Sequence, residues 1–302
     1  MICVVCILHG GCSVPGWLAQ VSRVGRLYLT VNDPGQHAYG ELPPGSLVTH
    51  NPVPKGFAHN VNAALRRAFV DERQETACVV NFDLEMAGCT LDTLVTALDE
   101  RPEVGAVGAV LRGQDGAPTF SAGTWPTPLK EFLRASGLRS RALIDLQRLL
   151  LRHTRRWSAR NSMLGREWRV LSVDEYLPWT CLAIRRRAWE DVGLLDERFP
   201  LYAEDIDWGL RCHQSDWKLA LQDCGPVVHL ERATRGRRSD SLYELSHREL
   251  HRKWAWHSSL RWQQRGLRVR RRWPLRTWTA PLDWSLLERL TVGEPTVAPN
   301  DA

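Results

Sequence analysis

The sequence predicts an α/β protein whose sheet is mainly parallel and covered by helices on both faces. Two observations carry this. Short apolar runs of strand length alternate with helix-length amphipathic stretches up to Leu111, and the same alternation returns after Val173. A chain of 302 residues with 43% hydrophobic and 25% charged residues can bury one large core or two small ones.

Each element has its own signal. Ile2–Leu8 is an apolar run too short to span a membrane, and it lacks a basic leader, so it reads as a buried strand rather than a signal peptide. Leu27–Val31 is a second strand, closed by the turn signal Asn32-Asp33-Pro34-Gly35. Ser46–Thr49 is a short third. Asn62–Phe69 reads as a helix with Ala64, Leu65 and Phe69 on its apolar face. Ala77–Phe82 is a strand, Leu91–Leu98 a helix with Thr90 as its N-cap, and Val104–Leu111 another strand. Turn signals and a basic helical stretch near Leu143–Leu151 fill the middle. The later block predicts strands Thr180–Ile184 and Trp217–Leu221 and helices Arg187–Val192 and Glu204–Cys212. The chain turns helical from Ser239, then Arg/Trp-rich, then polar. The expected division is therefore 1–238 as the main domain, 239–290 as a helical basic extension and 291–302 as a disordered tail.

Charge is concentrated rather than spread. The net charge is +6, but Arg248 to Arg276 holds ten Lys/Arg and one Glu, or +9, leaving 6 − 9 = −3 for the remainder. Six of the 14 Trp follow residue 250: Trp254, Trp256, Trp262, Trp273, Trp278 and Trp284. This composition suits an anionic membrane surface. It also suits nucleic acid, or Trp packing on the body with Arg left wet. Cys3 and Cys6 lie three apart on a strand and point to opposite faces, so they cannot grip one ion. The 8 cysteines read as small buried hydrophobes in a reducing compartment.

Three constellations offer chemistry. Asn81-Phe82-Asp83 follows an apolar strand, at the carboxyl end where open α/β sheets bind ligands. Asp83 there either caps a loop or reaches a metal ion on a diphosphate. Glu204-Asp205-Ile206-Asp207 places three acids at a helix start, where the dipole favours one or two and mutual repulsion can raise a carboxyl pKa for base work. His229 ends Pro226-Val227-Val228 as a core residue or a metal ligand.

Taken in order, these pieces resemble the family 2 glycosyltransferases, in particular their rhamnosyltransferase-like branch. The resemblance covers roughly residues 1–260. It rests on Val80-Asn81-Phe82-Asp83, Ile184-Arg185-Arg186, Gly193-Leu194-Leu195-Asp196-Glu197-Arg198-Phe199, Tyr202-Ala203-Glu204-Asp205-Ile206-Asp207 and Val227-Val228-His229. It implies a GT-A (Rossmann-like) fold with a mixed, mainly parallel sheet. It implies a nucleotide-sugar donor, Mn²⁺ or Mg²⁺ held by Asp83 and His229, and Asp205 as the base of an inverting transfer. Asn32, Asp33, Asn62, Asn81 and Asp83 are the implied donor-side residues, and Trp179, Glu204 and Asp207 the acceptor-side ones. The expected acceptor is a glycan or lipid-linked hydroxyl in bacterial surface polysaccharide or glycolipid synthesis. The expected location is cytoplasmic, with the Arg/Trp tail on the inner face of the membrane and nucleic acid the less favoured partner.

The sequence departs from the family at three places. It has His9-Gly10-Gly11 at the first strand end, Asn32-Asp33 in reversed order at the second, and Trp179-Thr180-Cys181 before Arg185. The first two leave open a second reading, a non-catalytic nucleotide-sugar or glycan-binding protein on the same fold.

Overall fold

The structure, a computed structural model, describes residues 2–8, 15–32, 41–86, 88–114, 116, 119–136, 167–199, 201–230 and 237–272. The expected helix near 143–151 and the polar tail lie outside these residues.

Eight strands form the central sheet: β1 (Ile2–Leu8), β2 (Gly25–Val31), β3 (Leu47–His50), β4 (Thr76–Val80), β6 (Val104–Ala109), β8 (Trp168–Val170), β10 (Cys181–Arg185) and β11 (Lys218–Gln222), in the order β3-β2-β1-β4-β10-β6-β11-β8. β1, β2, β3 and β4 pair in parallel, as do β6 and β11; β10 and β8 run antiparallel to their neighbours. The sheet is mixed and mainly parallel, as expected. Two small ribbons complete the β structure: β5 (Leu84–Met86) with β12 (Val227–His229), and β7 (Gly123–Thr124) with β9 (Glu175–Tyr176).

Both faces of the sheet are buried, which is why its strands read as unbroken apolar runs. On β1, Cys3, Val5 and Ile7 join one core with Val61, Leu65 and Trp189, while Val4, Cys6 and Leu8 join the other with Leu91, Leu94 and Leu98. Cys3 and Cys6 thus do face opposite ways, and burial pushes both thiols up. The first core packs under α2 (Phe57–Arg66) and α5 (Arg186–Val192), the second under α3 (Thr90–Asp99), with the short α1 (Val21–Val24) leading into β2.

Two local expectations are corrected. Helix α2 begins at Phe57, five residues before Asn62, because Phe57, Ala58 and Val61 already supply an inward face; it continues as a wider turn to Asp71. Thr90 is not the cap of α3. Cys89 occupies that position, and the buried Thr90 hydroxyl has no partner.

The remaining helices are α4 (Pro128–Ala135), α6 (Glu204–Gln214), α7 (Arg237–Lys253) and α8 (His257–Arg272). α4 opens on a Thr127 cap, with Pro128 in its first turn. α8 lies so close to α4 that a Cβ at Gly266 would come within 2.7 Å of the Phe132 carbonyl oxygen. Among the described residues no helix is long and apolar enough to cross a membrane.

Candidate active site

The carboxyl end of β4 sets the first half of the site. The Asn81 amide donates to the Thr180 carbonyl at 2.8 Å and so fastens this end to the start of β10. Asp83 follows in the turn before β5. β5 pairs antiparallel with β12 and places His229 opposite Leu84. The His229 Nε2 then lies 3.3 Å from the Asp83 Oδ1, and the Asp83 carbonyl accepts from the Leu230 amide at 2.9 Å. Two residues 146 positions apart (229 − 83) meet because two three-residue strands pair. The Asp83 side chain is buried and His229 is 23% exposed. One carboxylate and one solvent-facing imidazole fit a divalent ion that keeps further positions for phosphate oxygens.

The N-terminus of α6 sets the second half. Tyr202 and Ala203 precede it with φ of 70° and 67°, two consecutive non-glycine residues in the left-handed region. Such strain persists only where surrounding structure over-determines it, and it collects at functional sites. Asp205 is half-buried, and its Oδ1 accepts from the Ile206 amide at 2.8 Å. Burial pushes its carboxyl up to about 6. Glu204 is buried, its Oε2 has no hydrogen-bond partner, and burial together with the adjacent Asp205 raises its carboxyl well above the ordinary range. Both neighbouring carboxyls thus hold their protons more tightly than free acids do, Glu204 through burial and the Asp205 charge, Asp205 through burial. Tyr176, stacked on Trp125 with centroids 5.6 Å apart, closes the space beside them, its hydroxyl raised by burial and by Asp205.

Other residues named from the sequence lie in structural roles. Asn32 is 1% exposed; its side chain donates to the Lys55 carbonyl and accepts from Asn51 and from the Lys55 amide, each at 2.8 Å. Asn62 is fully buried and binds both polar groups of Leu195 and the Glu197 carboxylate, tying α2 to the Gly193–Phe199 loop. Trp179 is 4% exposed and packs edge-on against Trp208, centroids 5.2 Å apart, so its ring is core and not an open stacking face. Asp207 has no exposed surface. It accepts from Arg211 at 3.0 Å and from the Trp254 indole at 2.9 Å, and it pairs with Lys253 at 2.6 Å. It holds α7 and the following turn against α6. Asp33 and the His9-Gly10-Gly11 stretch lie outside the described residues.

Spacing along the chain does not show which way these side chains point, so the inward placement of Asn62, Trp179 and Asp207 was not legible. The strained Tyr202-Ala203 pair and the partnerless Glu204 oxygen gave no sequence signal. The Lys253–Asp207 pair was masked by the general basic character of the tail.

The mixed, mainly parallel eight-stranded sheet with helices on both faces is a GT-A fold. Comparison with known proteins agrees. No family profile matches the sequence. The chain is 28% identical over 195 residues to N-acetylglucosaminyl-diphospho-decaprenol L-rhamnosyltransferase of two Mycobacterium tuberculosis strains, an alignment covering 62% of this chain and 59% of the relative. It therefore matches about three fifths of the length of these curated relatives. In structure it is similar to GalNAc-T7, crystallised with UDP, GalNAc and Mn²⁺, with a TM-score of 0.52 and 16% identity over 82% of this chain and 47% of that one, a likeness of fold. By fold the chain is of the GT-A kind, and in sequence it is similar to these rhamnosyltransferases.

Proposed function

We propose that the protein is an inverting glycosyltransferase that moves a sugar from a nucleotide diphosphate to a hydroxyl of a lipid-linked glycan. The pairing of Asp83 with His229 at the β4 end carries this reading. Rhamnose is the proposed sugar and a polyprenyl-diphosphate-linked sugar the proposed acceptor, on the strength of the relatives' name. The proposed setting is cell-surface polysaccharide or glycolipid synthesis.

Asp83 and His229 would hold Mn²⁺ or Mg²⁺, which when bound neutralises the leaving diphosphate. Asn81 lies beside Asp83 on the donor side. The buried network of Asn32, Asn51 and Asn60 shapes the wall under the nucleotide without offering its own polar atoms. Asp205 takes the proton of the acceptor hydroxyl as that oxygen attacks the anomeric carbon from the face opposite the diphosphate. One displacement inverts the centre, and no covalent enzyme intermediate forms. Glu204, whose buried Oε2 has no partner, offers the acceptor a hydrogen-bonding oxygen. The basic exposed face of α8 keeps the chain near an anionic lipid surface on which the acceptor lies.

Asp205→Asn tests the base. Transfer from a nucleotide-sugar donor should fall by at least 10²-fold, with donor affinity by calorimetry unchanged in the presence of Mn²⁺. Full activity in that variant would remove Asp205 from the role.

A further inference from the structure

A second cluster of ligating side chains lies away from Asp83 and His229. α4 contributes Glu131; α7 contributes His247 and His251, one turn apart on the same face. All three are buried: Glu131 2%, His247 3% and His251 0% exposed. The His247 Nδ1 lies 3.4 Å from Glu131 Oε1, and the His251 Nε2 lies 3.1 Å from Glu131 Oε2. Neither contact has hydrogen-bond geometry: His247 Nδ1 and both His251 nitrogens have no hydrogen-bond partner. Three buried ring nitrogens are thus left unpaired beside a buried carboxylate. Their ligating atoms all lie within 4.8 Å of one another.

We propose that Glu131, His247 and His251 form a structural Zn²⁺ site that clamps α4 to α7. Zinc bonds of about 2.0–2.2 Å to nitrogen and oxygen put tetrahedral ligands roughly 3.3 Å apart, and the two contacts bracket that spacing. Two imidazoles and one carboxylate are the borderline donor set that zinc favours over Mg²⁺ or Ca²⁺. Each imidazole lies beside one Glu131 oxygen, and the three residues supply three of four tetrahedral positions. The surroundings are those of an outer shell around a metal. Arg134 donates to Glu131 Oε2 at 2.5 Å and pairs with Glu244 at 3.2 Å, and Gln263 from α8 donates to Glu244 at 3.0 Å. Tyr243 stacks on His247 with centroids 4.1 Å apart and fixes that ring. The two carboxylates and one guanidinium leave one net negative charge, which offsets half of the dication's. Complete burial makes the site structural rather than catalytic, and it stands or falls independently of the transfer reading.

Metal analysis of the full chain, grown with zinc and dialysed against chelating resin, tests this. About one zinc per chain should remain in the wild type and in His229→Ala, and none in His251→Gln or Glu131→Gln. Zinc lost from His229→Ala but kept by His251→Gln would overturn the assignment, as would stoichiometric iron. If the two buried variants fail to fold, Co²⁺ titration of chelator-stripped wild type decides. Visible absorption of tetrahedral Co²⁺ that saturates near one equivalent and is displaced by zinc supports the site. A wild type with neither bound zinc nor that absorption shows a buried ion pair only.

Discussion

At the scale of single residues, Asp205 links chemistry to stability. Its carboxyl titrates near 6 because burial disfavours the charged form. A base must be deprotonated, so kcat/KM for transfer should rise with pH to a plateau above about 6, one proton governing the acid limb; an acid limb near 4 would place the base elsewhere. The folded pKa lies above the unfolded one. The associated stability is therefore complete below about 3.9 and is lost as pH rises through 6. At pH 7.5 the ionised Asp205 thus weighs against folding, by up to roughly 3 kcal/mol before solvent screening trims it. Asp205→Asn should accordingly raise stability at pH 7.5 by about 1–2 kcal/mol in urea unfolding while removing transfer, and the gain should vanish at pH 4. A loss of stability at neutral pH would contradict this. The meeting of Asp83 with His229 was legible because motif order pointed to both. The raised carboxyl of Glu204 was not, because it depends on burial that spacing along the chain does not show.

At the scale of elements, strands were read more closely than helix ends. The register of β1 and β4 is set by apolar runs, and such runs are visible in sequence. The start of α2 was missed because Lys55-Gly56 reads as a loop, whereas the helix gains Phe57 and Ala58 by packing on the sheet. α6 shows how one element serves two purposes. Its first turn carries Glu204 and Asp205 toward the site, while Asp207, on the next face, binds Arg211, Lys253 and Trp254 inside. Three donors converge on one fully buried carboxylate; without it the Trp254 indole loses its acceptor, while Lys253 keeps Asp196 and Arg211 keeps the Val192 and Leu194 carbonyls. Asp207→Ala should cost about 1–3 kcal/mol in urea unfolding. Lys253→Met should cost far less, since Arg211 and Trp254 still satisfy the carboxylate. Equal losses in the two variants would mean that the aspartate does not organise this junction.

At the scale of the whole molecule, the separation of charge is the remaining feature, and the sequence showed it plainly. What the sequence left open was whether the tail's tryptophans point outward. The three in described residues turn toward the protein: Trp254 donates to Asp207, Trp256 packs with Phe199 and Leu250, and Trp262 meets Phe132 edge-on at 5.4 Å. Arg261, Arg265 and Arg268 remain exposed on α8, opposite the buried Ser259, Gln263 and Gly266. Any attraction of this face to lipid is therefore electrostatic first, with Trp262, still 37% exposed, the aromatic best placed to join it. Each arginine near an anionic surface contributes about 1 kcal/mol. Replacing Arg261, Arg265 and Arg268 by Gln should then weaken binding to vesicles rich in anionic lipid by about a hundredfold in flotation assays. Wild-type binding should fall as salt shortens the Debye length from about 10 Å toward 3 Å. The unfolding temperature should hardly move, because these side chains are wet. Binding that resists salt and survives the triple substitution would mean that the contact is apolar and lies elsewhere on the chain.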